Sequence, residues 1–151
     1  MNWTKQVSYI SQDNNLFSGS IAQNIAFELD ESLIESHQIK TLLKKININF
    51  YKKFQNKLNK QISYNSRNLS GGEKQRISIA RGLFRGKKII ILDEVTSSLD
   101  LKNSNEIMNE LIKFKKDKII ILISHKDSSL KFCDEIYELK DLKLVKQVGK
   151  K

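Results

Sequence analysis

The spacing of apolar positions in the first third of the chain predicts one strand followed by helices. Residues 6–10 predict a short strand, and the polar residues after them predict a loop. Three helices are predicted next, over residues 20–27, 31–46 and 50–58. The second of them carries apolar residues at helical intervals, namely Leu33, Ile34, Leu42 and Leu43. A polar stretch over residues 55–68 then separates this third from a more strongly patterned remainder.

Two runs of consecutive aliphatic residues dominate that remainder, within residues 88–93 and 118–123. Such runs are typical of strands that are buried on both faces of a parallel sheet. Between them, residues 101–114 predict a helix with Asp100 as its N-cap. The inward face of this helix is formed by Ile107, Leu111 and Phe114. A strand, a helix and a strand in this order predict a βαβ unit with a right-handed crossover.

Two further elements complete the predicted fold. Gly71 and Gly72 are expected to break the chain, and residues 73–84 then predict a helix. One face of that helix is formed by Ile77, Ala80, Arg81 and Phe84. Residues 135–139 and 143–147 predict a C-terminal β-hairpin. The sequence therefore predicts an α/β protein that has a parallel sheet, a helical insertion near its front and a C-terminal hairpin.

Composition indicates a single domain without a membrane-spanning segment. The 151 residues are enough for one hydrophobic core. The single Cys133 excludes an internal disulfide and suits a reducing cytosol. No apolar run approaches the roughly 18 residues that a spanning helix needs. The formal net charge of +10 invites a nucleic-acid-binding function, but the lysines are scattered, so we expect no nucleic-acid partner.

The stretch LSGGEKQR, residues 69–76, places Ser70, Gly71 and Gly72 just before the predicted helix. The first N–H groups of a helix lack internal partners and lie at its positive end, so this turn suits a phosphate or another anion. Glycine also lets an oxygen approach the backbone closely. By itself, however, such a motif more often marks a plain serine N-cap after a glycine-rich turn.

Candidate catalytic groups follow the predicted strands. Asp93 and Glu94 end the first aliphatic run, where open α/β sheets bind ligands, so Asp93 could hold Mg²⁺ and Glu94 could polarise a water. His125 follows the second run and, if the strands are neighbours, opens onto the same edge as Glu94. Gln12, after the first strand, could reach a metal or a water. Taken alone, an acidic pair is often a solvated strand exit, and a loop histidine, like the mid-helix His37, is usually just exposed.

The order of these motifs resembles the C-terminal portion of an exporter-type ABC-transporter ATPase domain. LSGGEKQR is similar to the family's signature motif, IIILDE to its Walker B strand, SSLD to its D-loop and ISHK to its switch-histidine loop. YISQDNNLFSGSIAQNIAF resembles the Q-loop and the segment after it. The resemblance covers residues 7 to about 148. It implies a partial P-loop NTPase fold that forms one truncated domain over residues 1–151. In this domain, residues 12–70 would contain the Q-loop and the helical subdomain, and residues 71–151 would contain the other motifs and the hairpin.

The resemblance implies ATP and Mg²⁺ as cofactors and assigns catalytic roles to matched residues. Gln12 would sense the metal and the attacking water. Asp93 would support Mg²⁺, and Glu94 would act as the general base. His125 would stabilise the γ-phosphate.

The resemblance also implies partners. Ser70, Gly71 and Gly72 would meet the nucleotide held mainly by a second nucleotide-binding domain in a head-to-tail dimer, and Asp100 would communicate across that dimer. Helices within residues 16–58 would receive a coupling helix from the transporter's transmembrane domain. The chain would then lie at the cytoplasmic face of a membrane.

The pattern departs from the family in its phosphate loop. The Walker A motif, G-x-x-x-x-G-K-[ST], belongs upstream of Gln12, where eleven residues contain no glycine. Gly82, Gly86 and Lys87 imitate it with the wrong spacing, and they precede a strand instead of following one. We therefore expect a truncated domain that turns over no ATP alone and has an unpaired sheet edge.

Three smaller departures concern single residues. Tyr64 stands where an acidic residue is usual, and Val95 stands where alanine is usual. Leu142 occupies the glycine position of an Asp-Gly turn, although leucine tolerates a positive φ poorly.

Two alternative interpretations stay open at this point. One is a non-enzymatic split half, or a gene remnant, that a separate chain completes. The other is the signature half of a chromosome-maintenance or DNA-repair ATPase, which suits the charge of +10 but ordinarily follows a long coiled coil.

Overall fold

The computed structural model describes residues 5–46, 52, 54, 56–97 and 99–147. In chain order its strands and α-helices are β1 (Val7–Ile10), β2 (Gly19–Ser20), α1 (Ile21–Ala26), α2 (Ser36–Ile46), β3 (Gln61–Ile62), α3 (Gly71–Phe84), β4 (Ile89–Asp93), α4 (Leu101–Leu111), β5 (Ile119–Ile123), α5 (Asp127–Leu130), β6 (Tyr137–Lys140) and β7 (Lys143–Lys146). Short 3₁₀ turns lie at Glu31–Leu33, Tyr64–Ser66 and Ile112–Lys116. The helix predicted over residues 50–58 lies largely outside the described residues.

A three-stranded parallel sheet organises the fold, in the order β1-β4-β5. Ile10 lies beside Leu92 in the β1–β4 register, and Asp93 lies beside Ile123 in the β4–β5 register. The strand–helix–strand unit of β4, α4 and β5 is therefore confirmed, as is the α/β class. Because all three strands run the same way, the loops after them leave the sheet at a common edge.

The prediction that both aliphatic strands are buried on both faces is wrong for β5. Ile120 and Leu122 pack against the core, but Ile119, Ile121 and Ile123 are exposed by 61%, 46% and 46%. Strand side chains alternate between the two faces of a sheet, so one face of β5 is covered and the other is open in the described part of the chain. In β4, Ile90 and Leu92 are buried, while the alternate residues Ile89, Ile91 and Asp93 are half-buried.

The long helix α3 packs against α1, α2 and β1, and Gly82 makes its approach to β1 possible. A Cβ atom at Gly82 would lie 2.4 Å from Cδ1 of Ile10. The Ser8 hydroxyl donates to the Gly82 carbonyl at 2.9 Å, across the same contact. Gly82 therefore serves close helix–strand packing, in agreement with the sequence argument that it belongs to no phosphate loop.

The prediction that Gly71 and Gly72 break the chain before the helix is wrong. Both glycines lie in the first turn of α3. Ser70 is the N-cap, and it forms a capping box with Glu73 that begins the helix two residues earlier than expected. The inward face also differs from the prediction. Arg81 and Phe84 are only half-buried, and the buried positions are Gln75, Ile77, Ser78, Ile79, Ala80, Gly82 and Leu83.

The helix predicted over residues 31–46 is interrupted. Residues Glu31–Leu33 form a 3₁₀ turn capped by Asp30, and Ile34 is extended before α2 begins at Ser36. The hydrogen bonds from Ser32 to the Asp30 carboxylate, which also lower the pKa of Asp30, compete with a continuous helix. Leu33 is consequently exposed, whereas Leu43 is buried as expected.

Among the remaining elements, the helix predicted over residues 101–114 is α4, which ends at Leu111 and is followed by the 3₁₀ turn Ile112–Lys116. Ser20 caps α1 through a capping box with Gln23, and Phe27 ends it in the left-handed region. The short β2–β3 pair that closes the helical insertion was not predicted. The hairpin of β6 and β7 is confirmed, with Asp141 and Leu142 at φ 47° and 61° in its two-residue turn.

Candidate functional site

The candidate site lies at the common edge where β1, β4 and β5 end. Gln12 follows β1 by two positions, Glu94 directly follows β4, and His125 follows β5 by two positions. The backbone N–H of Glu94 donates to the Ile123 carbonyl at 3.0 Å, which extends the β4–β5 pairing to the site. The strand register therefore places the loops that carry these residues side by side.

Glu94 and His125 are in direct contact. The distance between Oε1 of Glu94 and Nε2 of His125 is 3.1 Å. The Glu94 side chain is only 25% exposed, whereas that of His125 is 89% exposed. Glu94 also has a left-handed backbone, with φ 48°, in the turn that its own carbonyl closes by accepting from the Ser97 N–H. A non-glycine residue in this region stores strain, and such residues cluster at functional sites.

Asp93 ends β4 next to this pair and has a partner that sequence reasoning missed. The Tyr9 hydroxyl donates a hydrogen bond to Oδ2 of Asp93. This bond is the main reason that the pKa of Tyr9 is raised above its usual value. The parallel pairing of β1 with β4 brings the two side chains together, but neither residue type nor spacing singled Tyr9 out.

Gln12 itself is exposed, but the loop after it is fastened to α3 at two points. Nδ2 of Asn14 donates to Oε1 of Gln75, which is buried, at 2.6 Å. Arg81 donates from Nη1 to the Asn15 carbonyl at 2.8 Å. The position of the Gln12 loop thus depends on the signature helix α3.

Arg81 has further contacts that hold this loop. Its guanidinium bonds Asn24 twice, and it also lies 5.9 Å from the ring centre of Phe17 and 5.1 Å from that of Phe27. Asn24 is fully buried, and its side chain in turn bonds the backbone N–H and carbonyl of Phe17. Burial lowers the pKa of Arg81, although a guanidinium stays charged.

The start of α3 has the geometry of an anion site, but its serine is already engaged. The Ser70 hydroxyl donates to Oε2 of Glu73 at 2.9 Å and accepts from the Glu73 N–H at 3.3 Å. Around Gly71 the space that a Cβ would occupy is open, and at Gly72 the nearest group is Nη1 of Arg76 at 3.0 Å. In the part of the chain that the structure describes, no hydrogen bond or ion pair joins this turn to Glu94 or His125.

Asp100 is the N-cap of α4, as predicted. Its Oδ1 accepts from the Asn103 N–H at 2.9 Å, and its Oδ2 accepts from the Asn103 amide at 2.6 Å. These bonds lower the pKa of Asp100. Arg76 donates to Oδ1 of Asn103 at 3.2 Å, so α3 and the start of α4 are linked through one asparagine.

The smaller departures are also visible in the structure. Val95 is almost fully buried in the core, and Tyr64 is exposed in its 3₁₀ turn. Tyr64 therefore presents its side chain to solvent at the position where an acidic residue was expected.

The donor set at the strand ends fits Mg²⁺ as a partial shell. Mg²⁺ prefers oxygen ligands and takes few of them from the protein. Asp93 supplies a carboxylate there, and Gln12 has an amide oxygen in the neighbouring loop. Among the described residues, no cluster of three or more acidic, histidine or cysteine side chains could enclose a metal. The hydroxyl of Ser97, buried and without a hydrogen-bond partner in the structure, is one polar atom that a bound group could satisfy.

The described helices include none with the length and apolar character needed to span a bilayer.

Comparisons with known proteins give a consistent match. The profile of the family described as ABC transporter matches residues 1–97. The ATP-dependent lipid A-core flippase 2 of Colwellia psychrerythraea is 36% identical over 142 residues, which are 94% of this chain and 24% of the flippase. The ATP-dependent lipid A-core flippase of Pasteurella multocida is 36% identical over 132 residues, 87% of this chain and 23% of that protein.

A solved structure matches at the level of the backbone. A bacterial Atm1-family ABC exporter with ATP bound superposes with a TM-score of 0.78 at 27% identity. The match covers 94% of this chain and 25% of the exporter chain. The chain thus spans about a quarter of the length of the relatives it matches.

Proposed function

The chain belongs to the ABC transporter family, as an exporter-type ATPase domain, and from this premise we propose that it serves ATP hydrolysis that drives export across a membrane. The observation that carries the proposal is the contact of Glu94 with His125 at 3.1 Å, beside Asp93 at the end of β4. A base, a hydrogen-bond donor and a carboxylate for a metal are groups that phosphoryl transfer to water requires.

In the proposed reaction Glu94 orients a water and takes its proton as the water attacks the γ-phosphoryl group of ATP. His125 holds the Glu94 carboxylate through Nε2 in this structure, and a neutral imidazole would redirect this one N–H to a phosphoryl oxygen when nucleotide is bound. Mg²⁺, when bound, neutralises charge on the β- and γ-phosphates, and Asp93 and Gln12 are the residues that would hold it. Gln12 also reports the state of this site to the loop that follows it.

The signature turn is proposed to serve a nucleotide held mainly by a second nucleotide-binding domain, in a head-to-tail dimer. The backbone at Ser70, Gly71 and Gly72 lies at the positive end of α3, and the open space around Gly71 leaves room for a phosphate. Asp100 is proposed to act across the same dimer. In this arrangement residues 12–70 form the Q-loop and helical subdomain, and residues 71–151 carry the other motifs.

The proposed partner beyond the dimer is the transmembrane domain of an exporter, which would hold the chain at the cytoplasmic face of a membrane. Support comes from the relatives, which are a lipid A-core flippase family and an Atm1-family exporter. These relatives are two flippases and an exporter, which favours a transporter over a DNA-repair ATPase.

We propose that a protein of these 151 residues alone turns over no ATP. The sequence contains no G-x-x-x-x-G-K-[ST] motif. In P-loop enzymes that motif supplies the phosphate cradle and a magnesium ligand. Each charge-assisted hydrogen bond contributes about 1.5–3 kcal/mol, and about 1.4 kcal/mol is a tenfold change in affinity. Losing several of them lowers nucleotide affinity by orders of magnitude.

A chimera tests the proposal. Residues 7–147 replace the matching segment of the Colwellia flippase, and the rest of that relative, about three quarters of its length, completes the protein. We expect the chimera to release phosphate from ATP, and Glu94→Gln to abolish this release. Asp117→Asn, at an exposed carboxylate just before the end of β5 opposite to the site, is the matched control and should leave the rate unchanged. A folded chimera whose hydrolysis survives Glu94→Gln contradicts the proposal.

A further inference from the structure

One lysine next to the candidate site holds a stretch of backbone far from it in sequence. Lys126 donates from Nζ to the Thr96 carbonyl at 2.8 Å and to the Leu99 carbonyl at 3.2 Å. Both acceptors lie in residues 96–100, which we call the 96–100 segment and which connects the Glu94 turn to α4; residue 98 is outside the described residues. The lysine is thus a cross-link between the loop after β5 and the loop after β4.

The described residues of the 96–100 segment make local backbone bonds at both of its ends. Its N–H groups at Ser97 and Leu99 close local turns on Glu94 and Thr96, at 2.9 and 3.2 Å. Its far end is fixed to α4 because Asp100 bonds Asn103. The Thr96 carbonyl accepts from both the Leu99 N–H and the Lys126 ammonium, and the Leu99 carbonyl accepts from the same ammonium. An ammonium with three N–H groups can serve two carbonyls at once.

The loop after β5 therefore touches the site and the segment together. His125 contacts Glu94 at 3.1 Å, and the next residue, Lys126, contacts Thr96 and Leu99. The Lys126 N–H is itself fixed, because it donates to the Ser124 hydroxyl at 3.0 Å. A displacement of the 96–100 segment must accordingly break these hydrogen bonds or displace the loop that carries His125.

We propose that Lys126 is a positioning residue that keeps Asp100 and the Glu94–His125 pair at a fixed spacing. Its ammonium acts through backbone carbonyls, and among the described residues it makes no hydrogen bond to Glu94, His125 or Asp100. The inference rests on the proposed function, because the spacing matters only if Asp100 and the pair serve one reaction. Since Lys126 binds backbone carbonyls, substitutions of side chains in the 96–100 segment leave these two hydrogen bonds in place.

The test uses the 151-residue protein and needs no nucleotide. We expect Lys126→Met, which keeps the aliphatic stem, to shift the amide resonances of Ser97, Leu99 and Asp100 in ¹H–¹⁵N spectra. Hydrogen exchange at the Ser97 and Leu99 amides should become about tenfold faster, as the loss of a charge-assisted bond implies. Lys126→Arg keeps a charged donor and should restore both the resonances and the exchange rates.

Lys118 is the matched control, because its ammonium also donates to a distant backbone carbonyl, that of Lys87, at 2.6 Å. Lys118→Met should move resonances near Lys87 and leave Ser97 and Leu99 in place. If Lys126→Met perturbs the 96–100 segment no more than Lys118→Met does, or if Lys126→Arg fails to restore it in a folded protein, the inference is overturned. Failure of the ATPase role would show in phosphate release and not in these resonances.

Discussion

Arg81 meets Asn24 twice, donating from Nε to its backbone carbonyl at 2.7 Å and from Nη2 to its side-chain oxygen at 2.9 Å. Together with the Asn15 carbonyl, these acceptors engage three nitrogens of the guanidinium, one from the loop that follows Gln12 and two from α1. A single side chain of α3 thereby fastens that loop to α1.

We expect Arg81→Met to lower the free energy of unfolding by about 3 kcal/mol. The change leaves two acceptors on the fully buried Asn24 and the carbonyl of the exposed Asn15 without their charged donor. Arg85 offers a matched control, since it also lies over the Phe27 ring, at 5.6 Å. Arg85→Met removes a single cation–π contact and should cost about 1 kcal/mol or less. Urea denaturation measures both, and equal losses would show that ring contacts dominate.

Gly82→Ala should destabilise the protein by about 2 kcal/mol, because the added methyl would overlap the Ile10 side chain and force the helix from the strand. Gly71→Ala places the same methyl in open space in the first turn of α3 and should cost little. Thermal unfolding of the two variants makes the comparison. A loss for Gly71→Ala as large as that for Gly82→Ala would refute the packing explanation.

Leu142→Gly should stabilise the protein by about 1 kcal/mol, since Leu142 holds φ 61° in the hairpin turn and glycine adopts this region without strain. Leu142 is almost fully exposed, so the change removes little packing. Leu29→Gly, at another exposed leucine with a negative φ, should destabilise slightly instead. Chemical denaturation of the hairpin variant decides the sign, and a destabilised Leu142→Gly protein contradicts the strain argument.

The contribution of Asp100 to stability should depend on pH. Hydrogen bonds from Asn103 lower its pKa below the usual 3.8, so its stabilisation is present above that pH and is lost as the pH falls through the lowered pKa. We expect the difference in melting temperature between the wild type and Asp100→Ala to be clear near neutral pH and to shrink well below the usual pKa. Lys102→Ala, at an exposed neighbour in the first turn of α4, is the control. A difference that stays constant with pH would argue against an ionised cap.

A protein of these 151 residues should release no phosphate from ATP above the buffer rate, with or without Mg²⁺. The wild type and Glu94→Gln should therefore give the same baseline in a phosphate assay. Turnover by the wild type that disappears in Glu94→Gln would show that the chain grips the triphosphate without a Walker A loop.

The meeting of Glu94 and His125 could be predicted from sequence because parallel strands bring their carboxyl ends together. The aliphatic runs located both strands, yet they could not show that Ile119, Ile121 and Ile123 face outward. A run of isoleucines is compatible with a strand that is buried on one face or on both, because burial depends on which other elements pack against the sheet.

The contacts that organise the site were hidden from sequence reasoning. Tyr9, Arg81 and Lys126 bind partners 27 to 84 positions away, through register and helix placement that no local spacing encodes. The helix predicted through Leu33 failed for a local reason, since Asp30 offers the Ser32 backbone a competing bond. Helix N-caps, by contrast, can be predicted from residue type, and the prediction of Asp100 as the N-cap of α4 is confirmed.

The left-handed backbone of Glu94 has a consequence for descent. Glycine is the residue that relieves such a conformation, and a glutamate codon becomes a glycine codon by one nucleotide change. The same change deletes the proposed base. A lineage that is no longer selected for hydrolysis can therefore gain stability and lose the proposed base in one mutation. A lineage still under that selection must retain Glu94 and its strained backbone.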